Sequence, residues 1–115
     1  MVQKQSDFCF FVMRFIVWLK AEGYQVTFGE AWRSIETCEA YVKEGKGIKE
    51  SLHPERLAID LNLFWNGKFL TTFSDYEKCG EYWESLSTPE YKCCWGGRFK
   101  RVDADHFSFE HNGVR

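Results

Sequence analysis

The sequence lacks the features that mark several classes of protein. Its 115 residues contain only two prolines, and a net charge of −2 at pH 7 gives no basic footprint of the kind that binds nucleic acid. No apolar run reaches the length of about 18 residues that can span a bilayer, and no segment is repeated or of low complexity. We therefore expect no nucleic-acid partner and no stable membrane insertion.

Disulfide-like cysteine spacing is also missing. The cysteines are five, an odd number, and no C-x-x-C pair occurs among them. This usage favours reduced, mostly buried thiols in a cytosolic protein. A metal or redox role for the adjacent Cys93 and Cys94 is the alternative, disfavoured because neighbouring side chains point apart in most backbones.

The apolar run 8–19 near the N-terminus does not have the pattern of an export signal. Asp7 and Arg14 interrupt its flank and its interior, and no small-x-small cleavage site follows. We interpret it as a buried helix that Ser6 caps and Gly23 ends. The expected location is the cytoplasm, without a signal peptide.

Hydrophobic periodicity predicts an α+β fold, with a small, mainly antiparallel sheet flanked by about three helices. Asn66-Gly67 is a signal for a type I′ hairpin turn. The whole chain, 1–115, is predicted to form one domain. The predicted helices are 6–23, 34–44 and 75–85, the last capped by Ser74. The predicted strands are 24–28, with Tyr24, Val26 and Phe28 on one buried face, 57–65, 68–72 and 103–110. The segments 45–50 and 87–97 are predicted to be a connector and a loop.

Two of the three histidines stand near carboxylates in separate parts of the chain. His53 and Asp60 are seven residues apart, so on one straight strand they would face opposite sides. Pro54 makes a loop the more natural place for His53, and that loop can turn back toward the strand that carries Asp60. His106 lies in an alternating segment in which Phe107 takes the opposite face.

Two imidazoles and one carboxylate, with a fourth position open, form the ligand pattern of a catalytic zinc. His53, Asp60 and His106 would supply it. Asp103, three residues before His106, is then placed to manage a proton, and Asp105 is the alternative. Because Asp103 has an odd offset from His106, a bend between them is required.

Five short segments together resemble the zinc D,D-peptidase family. This family includes D-Ala-D-Ala dipeptidases and carboxypeptidases, and the L-alanyl-D-glutamate endopeptidases of bacteriophage endolysins. The resemblance covers about residues 20 to 110 and is greatest to the endolysin branch. The segments are Ser51-x-His53, Ala58-x-Asp60, Asp103-x-x-His106-Phe107, Glu30-Ala-Trp-Arg33-Ser and Trp95-Gly-Gly-Arg-Phe99.

The resemblance implies a hedgehog/D,D-peptidase-like fold and a Zn²⁺ ion held by His53, Asp60 and His106, with Asp103 as catalytic base. It implies a monomeric phage or prophage endolysin that cuts the L-Ala-D-Glu bond of peptidoglycan and reaches the wall by other means, such as a holin pore. The alternatives are a D-Ala-D-Ala carboxypeptidase or dipeptidase, and a zinc-fold cell-wall-binding protein without turnover.

Three further candidate site residues each have two possible roles. By its family position Arg33 would hold a substrate carboxylate or an oxyanion, and otherwise it forms a surface salt bridge. Ser51 is either a substrate contact or a loop-capping hydroxyl, and Trp95 is either a wall of the substrate groove or part of the core. His111 is expected in solvent. Arg56 stands where many family members have glycine, which affects loop shape and substrate preference more than metal binding.

Overall fold

A computed structural model describes residues 1–44 and 51–115, so the connector predicted for 45–50 lies outside the described residues. In the described part the chain forms three α-helices and five strands, and the predicted α+β class is confirmed. The elements are α1 (Val2–Glu22), β1 (Gln25–Phe28), α2 (Ile35–Lys43), β2 (Ala58–Trp65), β3 (Lys68–Phe69), α3 (Phe73–Ser85), β4 (Cys93–Trp95) and β5 (His106–Phe109), with a 3₁₀ turn at Gly96–Arg98.

The sheet is antiparallel throughout, and β2 is at its centre. The strands lie in the order β1-β2-β5-β4, and β3 pairs with the end of β2. In the register of β2 with β5, Asp60 is directly opposite His106. Residues opposite each other on antiparallel strands point to the same face, so pairing alone brings these two side chains together.

The aromatic core lies between the sheet and two helices. Phe107 and Phe109 of β5 point into it, as the alternation predicts, and both are fully buried. The Phe107 ring meets Phe15 of α1 edge to face at 4.8 Å, and Phe109 meets Phe8 of α1 at 5.0 Å. Each such pair contributes about 0.5–1.5 kcal/mol beyond its burial. The core therefore fixes β5, and with it the position of His106 on the opposite face.

Local turn chemistry fixes several boundaries. Gly23, with φ 102°, ends α1 as predicted. The turn Asn66-Gly67 has φ of 49° and 79°, the double left-handed conformation of a type I′ turn. Arg56 also has positive φ, at 59°. Many members of the family that the sequence resembles have glycine at this position, and glycine is the residue that adopts a positive φ with the least strain.

Both predicted N-caps are wrong. Helix α1 begins at Val2, so Ser6 lies inside it, and side chains of its first turns bond distant backbone, with Lys4 Nζ donating to Glu110 O and Gln5 Nε2 to Glu55 O. Helix α3 is capped by Thr72, not Ser74. The Thr72 hydroxyl accepts from Asp75 N at 3.1 Å, and Asp75 returns the contact in a capping box. The predicted strand 68–72 is also shorter in the structure and ends at Phe69.

The loop predicted for 87–97 is wrong at 93–95. Cys93–Trp95 forms β4, and Trp95 pairs with Phe107 of β5. The glycines at 96 and 97 indicated a loop, but Gly97 instead makes room for the Trp95 indole. A Cβ on Gly97 would lie 2.2 Å from that ring. The predicted buried face of β1 is also wrong at its end, where Phe28 is 71% exposed.

Candidate metal and active site

The three predicted ligands converge where β2 and β5 pair, on the face of these strands that points away from the aromatic core. Asp60 Oδ1 lies 3.4 Å from His53 Nε2 and 3.6 Å from His106 Nδ1. One ligand atom from each of the three residues lies within 4.8 Å of the other two. Both imidazoles are buried, at 2% and 3% exposure. The structure thus brings together residues that are separated by up to 53 positions in the sequence, 106 minus 53.

A compact turn carries His53 to this point. Arg56 N donates to His53 O at 3.1 Å, and Leu57 N donates to Leu52 O at 3.1 Å. Leu52 and Leu57 are fully buried and anchor both ends of the turn in the core. The left-handed Arg56 reverses the chain within this turn. His53 is therefore on a loop that returns to β2, as Pro54 suggested.

The hydrogen bond of His53 selects which of its nitrogens faces Asp60. Nδ1 lies 3.0 Å from the carbonyl oxygen of Ala31. Because a carbonyl can only accept, Nδ1 carries the proton, and neutral His53 then presents the lone pair of Nε2 to Asp60. A carbonyl behind a ligating imidazole is the usual outer contact of a histidine at a metal.

The donor set fits a tetrahedral divalent cation. Bonds of about 2.0–2.2 Å from zinc to nitrogen and oxygen place neighbouring ligand atoms about 3.3–3.6 Å apart. The distances from Asp60 Oδ1 to the two imidazoles, 3.4 and 3.6 Å, agree with that spacing and are long for hydrogen bonds. Asp60 Oδ1 is also buried without a hydrogen-bond partner among the described residues. A buried carboxylate oxygen between two imidazoles without such a partner suits a cation.

Electrostatics keep the acid of this set ionised. Burial by itself would raise the pKa of Asp60, but attraction to His106 and His53 outweighs it and lowers the pKa to about 2. Burial lowers the pKa of His53, while Asp60 and the Ala31 carbonyl raise it, and the net shift is upward. The carboxylate is thus ready for a cation at neutral pH, and a proton on His53 competes with that cation.

Asp103 lies beside the ligands on the turn that precedes β5. Its Oδ2 is 3.8 Å from His106 Nδ1, and about half of its side chain, 52%, is exposed. His106 N donates to Asp103 O at 3.1 Å, which gives the bend that the odd spacing required. Burial, together with the adjacent carboxylate of Asp105, raises the pKa of Asp103 to about 6, although His106 opposes the shift.

Asp105 remains an alternative to Asp103 on geometric grounds. Asp60, Asp103 and Asp105 form a second group whose oxygens lie within 4.8 Å of one another. Burial and the charge of Asp60 raise the pKa of Asp105 as well. Two neighbouring carboxylates with raised pKa values share protons as a pair, so either oxygen set can carry the proton.

A pocket of about 480 Å³ opens over the ligands. Arg33 reaches its wall and lies with its guanidinium 4.9 Å above the Tyr41 ring. Ser51 lines the pocket, and its hydroxyl accepts a hydrogen bond from His53 N at 3.2 Å, as a loop-capping hydroxyl does. The lining residues are Arg33, Tyr41, Ser51, His53, Asp60, Phe99, Arg101, Val102, Asp103, Asp105 and His106.

Trp95 is not a wall of this pocket. Its side chain is fully buried, and its ring lies against Phe73 at 5.0 Å. The indole Nε1 donates to Ala104 O at 2.7 Å, and so holds the turn between Asp103 and Asp105. The groove role is therefore corrected to the core role, with an indirect effect on the site. Spacing gave no sign of this, because the hydrogen bond depends on the unpredicted strand β4.

The third histidine lies away from the ligands. His111 Nδ1 is 3.2 Å from Lys4 Nζ, and the residue is half-buried rather than fully in solvent. Sequence reasoning also missed Tyr41 and Phe99 as pocket residues. Their aromatic side chains carry no pattern that separates a pocket wall from a core position.

Comparisons with known proteins give a structural match without a sequence match. No family and no curated protein matches the sequence. The fold is similar to the crystal structure of the Serratia marcescens L-Ala D-Glu endopeptidase ChiX, with a TM-score of 0.54 and 19% sequence identity. The match covers 74% of this chain and 66% of that one, so this chain spans just under two thirds of its length. This similarity shows a related fold.

No helix in the described part of the chain combines the length and the apolar character needed to cross a membrane.

Proposed function

We propose that this chain is a Zn²⁺-dependent peptidase of the bacterial cell wall that cuts the stem peptide of peptidoglycan between L-Ala and D-Glu. The convergence of His53 Nε2, Asp60 Oδ1 and His106 Nδ1 at the spacing of a tetrahedral site carries this proposal. The fold similarity to ChiX, which is named as an L-Ala D-Glu endopeptidase, supports the choice of bond.

The metal would be held by those three atoms, on the floor of the pocket. When bound, Zn²⁺ supplies Lewis acidity, which makes water more acidic and polarises a carbonyl group. The protein contributes rigidity, since Asp60 and His106 are on paired strands and His53 is on an anchored turn. Ligands on rigid elements keep their geometry through the reaction.

Asp103 is proposed to move the proton. Its carboxylate accepts a proton from the attacking water as the new C–O bond forms, and returns it to the nitrogen as the C–N bond breaks. Its half-exposed position on the pocket wall gives it access to both partners. Burial and Asp105 raise the pKa of Asp103 to about 6 in the site without a cation, and this upward shift favours a group that must accept and release a proton near neutral pH.

Arg33 and Ser51 are proposed to contact the substrate from the pocket wall. The guanidinium is set to meet a carboxylate of the stem peptide or the oxygen of the carbonyl under attack. The Ser51 hydroxyl keeps donor capacity while it accepts from His53 N.

The biological setting is proposed on the same basis. The chain would act as one monomeric domain, 1–115, of a phage or prophage endolysin whose partner is peptidoglycan. It would be made in the host cytoplasm and act on the wall after release. Nucleic acid is not proposed as a partner, since a net charge of −2 does not indicate one.

Digestion of purified peptidoglycan tests the function. New amino termini on D-Glu, detected by mass spectrometry, are expected with Zn²⁺-loaded protein and not with Asp103→Asn. Released D-alanine would instead indicate a D-Ala-D-Ala carboxypeptidase or dipeptidase. Protein that holds one zinc per chain but cleaves no wall preparation would be a binding module. His111→Ala is the matched histidine control, since His111 lies outside the ligand group.

A further inference from the structure

The segment 29–33 contacts the candidate site at several points. It follows β1 and lies along the start of β2, where Gly29 N donates to Asp60 O and Asp60 N donates to Glu30 O, both at 2.8 Å. The next residue, Ala31, accepts from the His53 imidazole at 3.0 Å. One short stretch of backbone therefore contacts two of the three proposed ligands.

Glycine at position 29 permits this close approach. A Cβ there would lie 2.9 Å from Asp60 O and 3.0 Å from Asp60 Cβ. Any side chain would push the segment away from β2. Backbone hydrogen bonds to β2 thus fix the position of the segment, and with it the positions from which the side chains of the segment extend.

The side chain of Glu30 extends this order to Arg33. Its carboxylate accepts a hydrogen bond from Arg33 Nε in an i, i+3 ion pair. The Arg33 side chain is only 12% exposed, and the Tyr41 ring lies against the guanidinium face. Arg33 Nη1 points to Cys38 Sγ at 3.9 Å. Three groups thus hold the guanidinium: Glu30 at Nε, the Tyr41 ring at its face and Cys38 at Nη1. No hydrogen bond joins Nη2 to a described residue.

This arrangement matters because a free arginine side chain is mobile. An unheld arginine side chain must lose its rotamer entropy each time the guanidinium meets its target. A carboxylate on Nε removes much of that freedom in advance and fixes the plane of the donors. Burial by itself lowers the pKa of Arg33, but Glu30 outweighs it and the net shift is upward. The guanidinium therefore keeps its charge inside the pocket wall.

We propose that Glu30 is a positioning residue, whose carboxylate fixes the guanidinium of Arg33 at the wall of the metal pocket for a negatively charged group of the substrate. Its role in turnover rests on the proposed peptidase function, while its hold on Arg33 can be measured without turnover. Glu30 acts through Arg33 alone, because its contact with Asp60 is made by the backbone and survives substitution of its side chain.

A matched pair of variants isolates this role. Glu84 also forms an ion pair with an arginine, Arg98, and its side chain is 32% exposed, the same as that of Glu30. Glu30→Ala and Glu84→Ala therefore each remove an ion pair from a glutamate of the same exposure, the second one outside the pocket lining and with a more exposed arginine, at 42% against 12%. Glu30→Ala is expected to lower kcat/KM for a defined stem peptide by roughly tenfold, and Glu84→Ala to leave it within about twofold of wild type. Zinc content and Tm should match between the two.

Two further variants test whether the effect passes through Arg33. Glu30→Gln retains an oxygen that can accept from Nε, so it should recover most of the activity that Glu30→Ala loses. In an Arg33→Ala background, Glu30→Ala should change kcat/KM by less than about twofold, since coupled residues are not additive. Additive losses, or loss of zinc in Glu30→Ala, would overturn the proposal.

Nuclear magnetic resonance of the Arg33 Nε proton tests the hold on Arg33 without turnover. Its signal should exchange slowly with water in wild type and Glu84→Ala, and much faster in Glu30→Ala. A signal unaffected by Glu30→Ala would overturn the proposal even if wild type is active. If wild type cleaves no wall peptide, the peptidase function fails, and the exchange rate still decides whether Glu30 fixes Arg33.

Discussion

Asp60 and His106 lie opposite each other on neighbouring antiparallel strands, with 3.6 Å between Oδ1 and Nδ1. The strand register that aligns them is fixed by the aromatic core on the other face of β5, where Phe107 and Phe109 are fully buried. A shift of one residue would turn His106 into the core and Phe107 toward the pocket. The geometry of the candidate metal site is therefore a direct consequence of core packing.

Removal of a ligand should abolish metal binding without unfolding the protein. His53→Ala and His106→Ala are expected to weaken Zn²⁺ binding by more than the 10–100-fold typical of outer-shell changes. Calorimetric titration of chelator-treated protein measures this, and His111→Ala serves as the control. Wild-type affinity in His106→Ala would remove His106 from the ligand set.

The rate of cleavage should fall on the acid side as Asp103 gains a proton. The pKa of about 6 applies to the site without a cation, and a bound cation lowers it by attraction. Below this value kcat/KM should drop about tenfold per pH unit, provided that zinc stays bound. The pH profile of zinc-saturated enzyme measures the limb. An acid limb centred above pH 7 would contradict the assignment of Asp103 as base.

The same shift makes Asp103 a stability cost at neutral pH. Its pKa is about 6 in the folded state and 3.8 in the reference state, so the folded protein binds the proton more tightly. The protonated Asp103 carboxyl therefore stabilises the folded state below pH 3.8, and this stabilisation is lost as the pH rises through about 6. Metal-free Asp103→Asn should therefore gain about 1 kcal/mol over wild type at pH 7, after a discount for its half-exposed position.

Urea unfolding of the metal-free proteins at pH 4 and pH 7 checks this. The gain of Asp103→Asn should shrink toward zero at pH 4, where wild-type Asp103 is protonated in the folded state. A variant that is equally stable to wild type at both pH values would show that Asp103 is not strained by its neighbours.

Because the backbone at Arg56 is left-handed, glycine should be tolerated at this position better than a β-branched residue. The φ of Arg56 is 59°. The free energy of unfolding of Arg56→Gly should therefore lie within about 1 kcal/mol of the wild-type value, and that of Arg56→Val should be about 1–2 kcal/mol lower than that of Arg56→Gly. Both variants lose the stacking of Arg56 over Trp32, at 5.0 Å, so their difference isolates the backbone effect. Equal unfolding free energies for the two variants would argue against the left-handed conformation.

Trp95 should behave as a core residue, with an indirect effect on Asp103. Trp95→Ala is expected to lower the free energy of unfolding by about 3–5 kcal/mol. Gly80→Ala should also destabilise the fold, because its Cβ would lie 2.1 Å from the Trp95 ring. Denaturant unfolding measures both. A stable Trp95→Ala protein with a raised KM would restore the groove role.

The separate contributions of sequence and tertiary contacts can be seen in particular residues. Alternation along 106–109 predicted that His106 and Phe107 face opposite sides, and the odd offset from Asp103 required the bend that is present. Local rules also located the Gly23 cap and the Asn66-Gly67 turn. These features succeed because a backbone period or a φ value depends on residues close together in the chain.

Other features could not be read locally. Strand β4 was taken as a loop because Gly96 and Gly97, which follow it in a 3₁₀ turn, are turn signals, and its pairing with β5 leaves no local sign. The wrong cap at Ser74 reflects competition between two hydroxyls only two residues apart, which the Asp75 capping box decides in favour of Thr72. In each case the outcome depends on packing or a reciprocal contact that composition does not reveal.

By itself the sequence determined which donors are available for a metal, the α+β class, and the faces on which His106 and the core phenylalanines lie. Only the tertiary structure decided that Trp95 is core and that the Ala31 carbonyl meets the His53 imidazole. The physical reason is that side-chain direction follows from local backbone geometry. Burial and hydrogen-bond partners are set by segments far apart in the chain, which meet only when it folds.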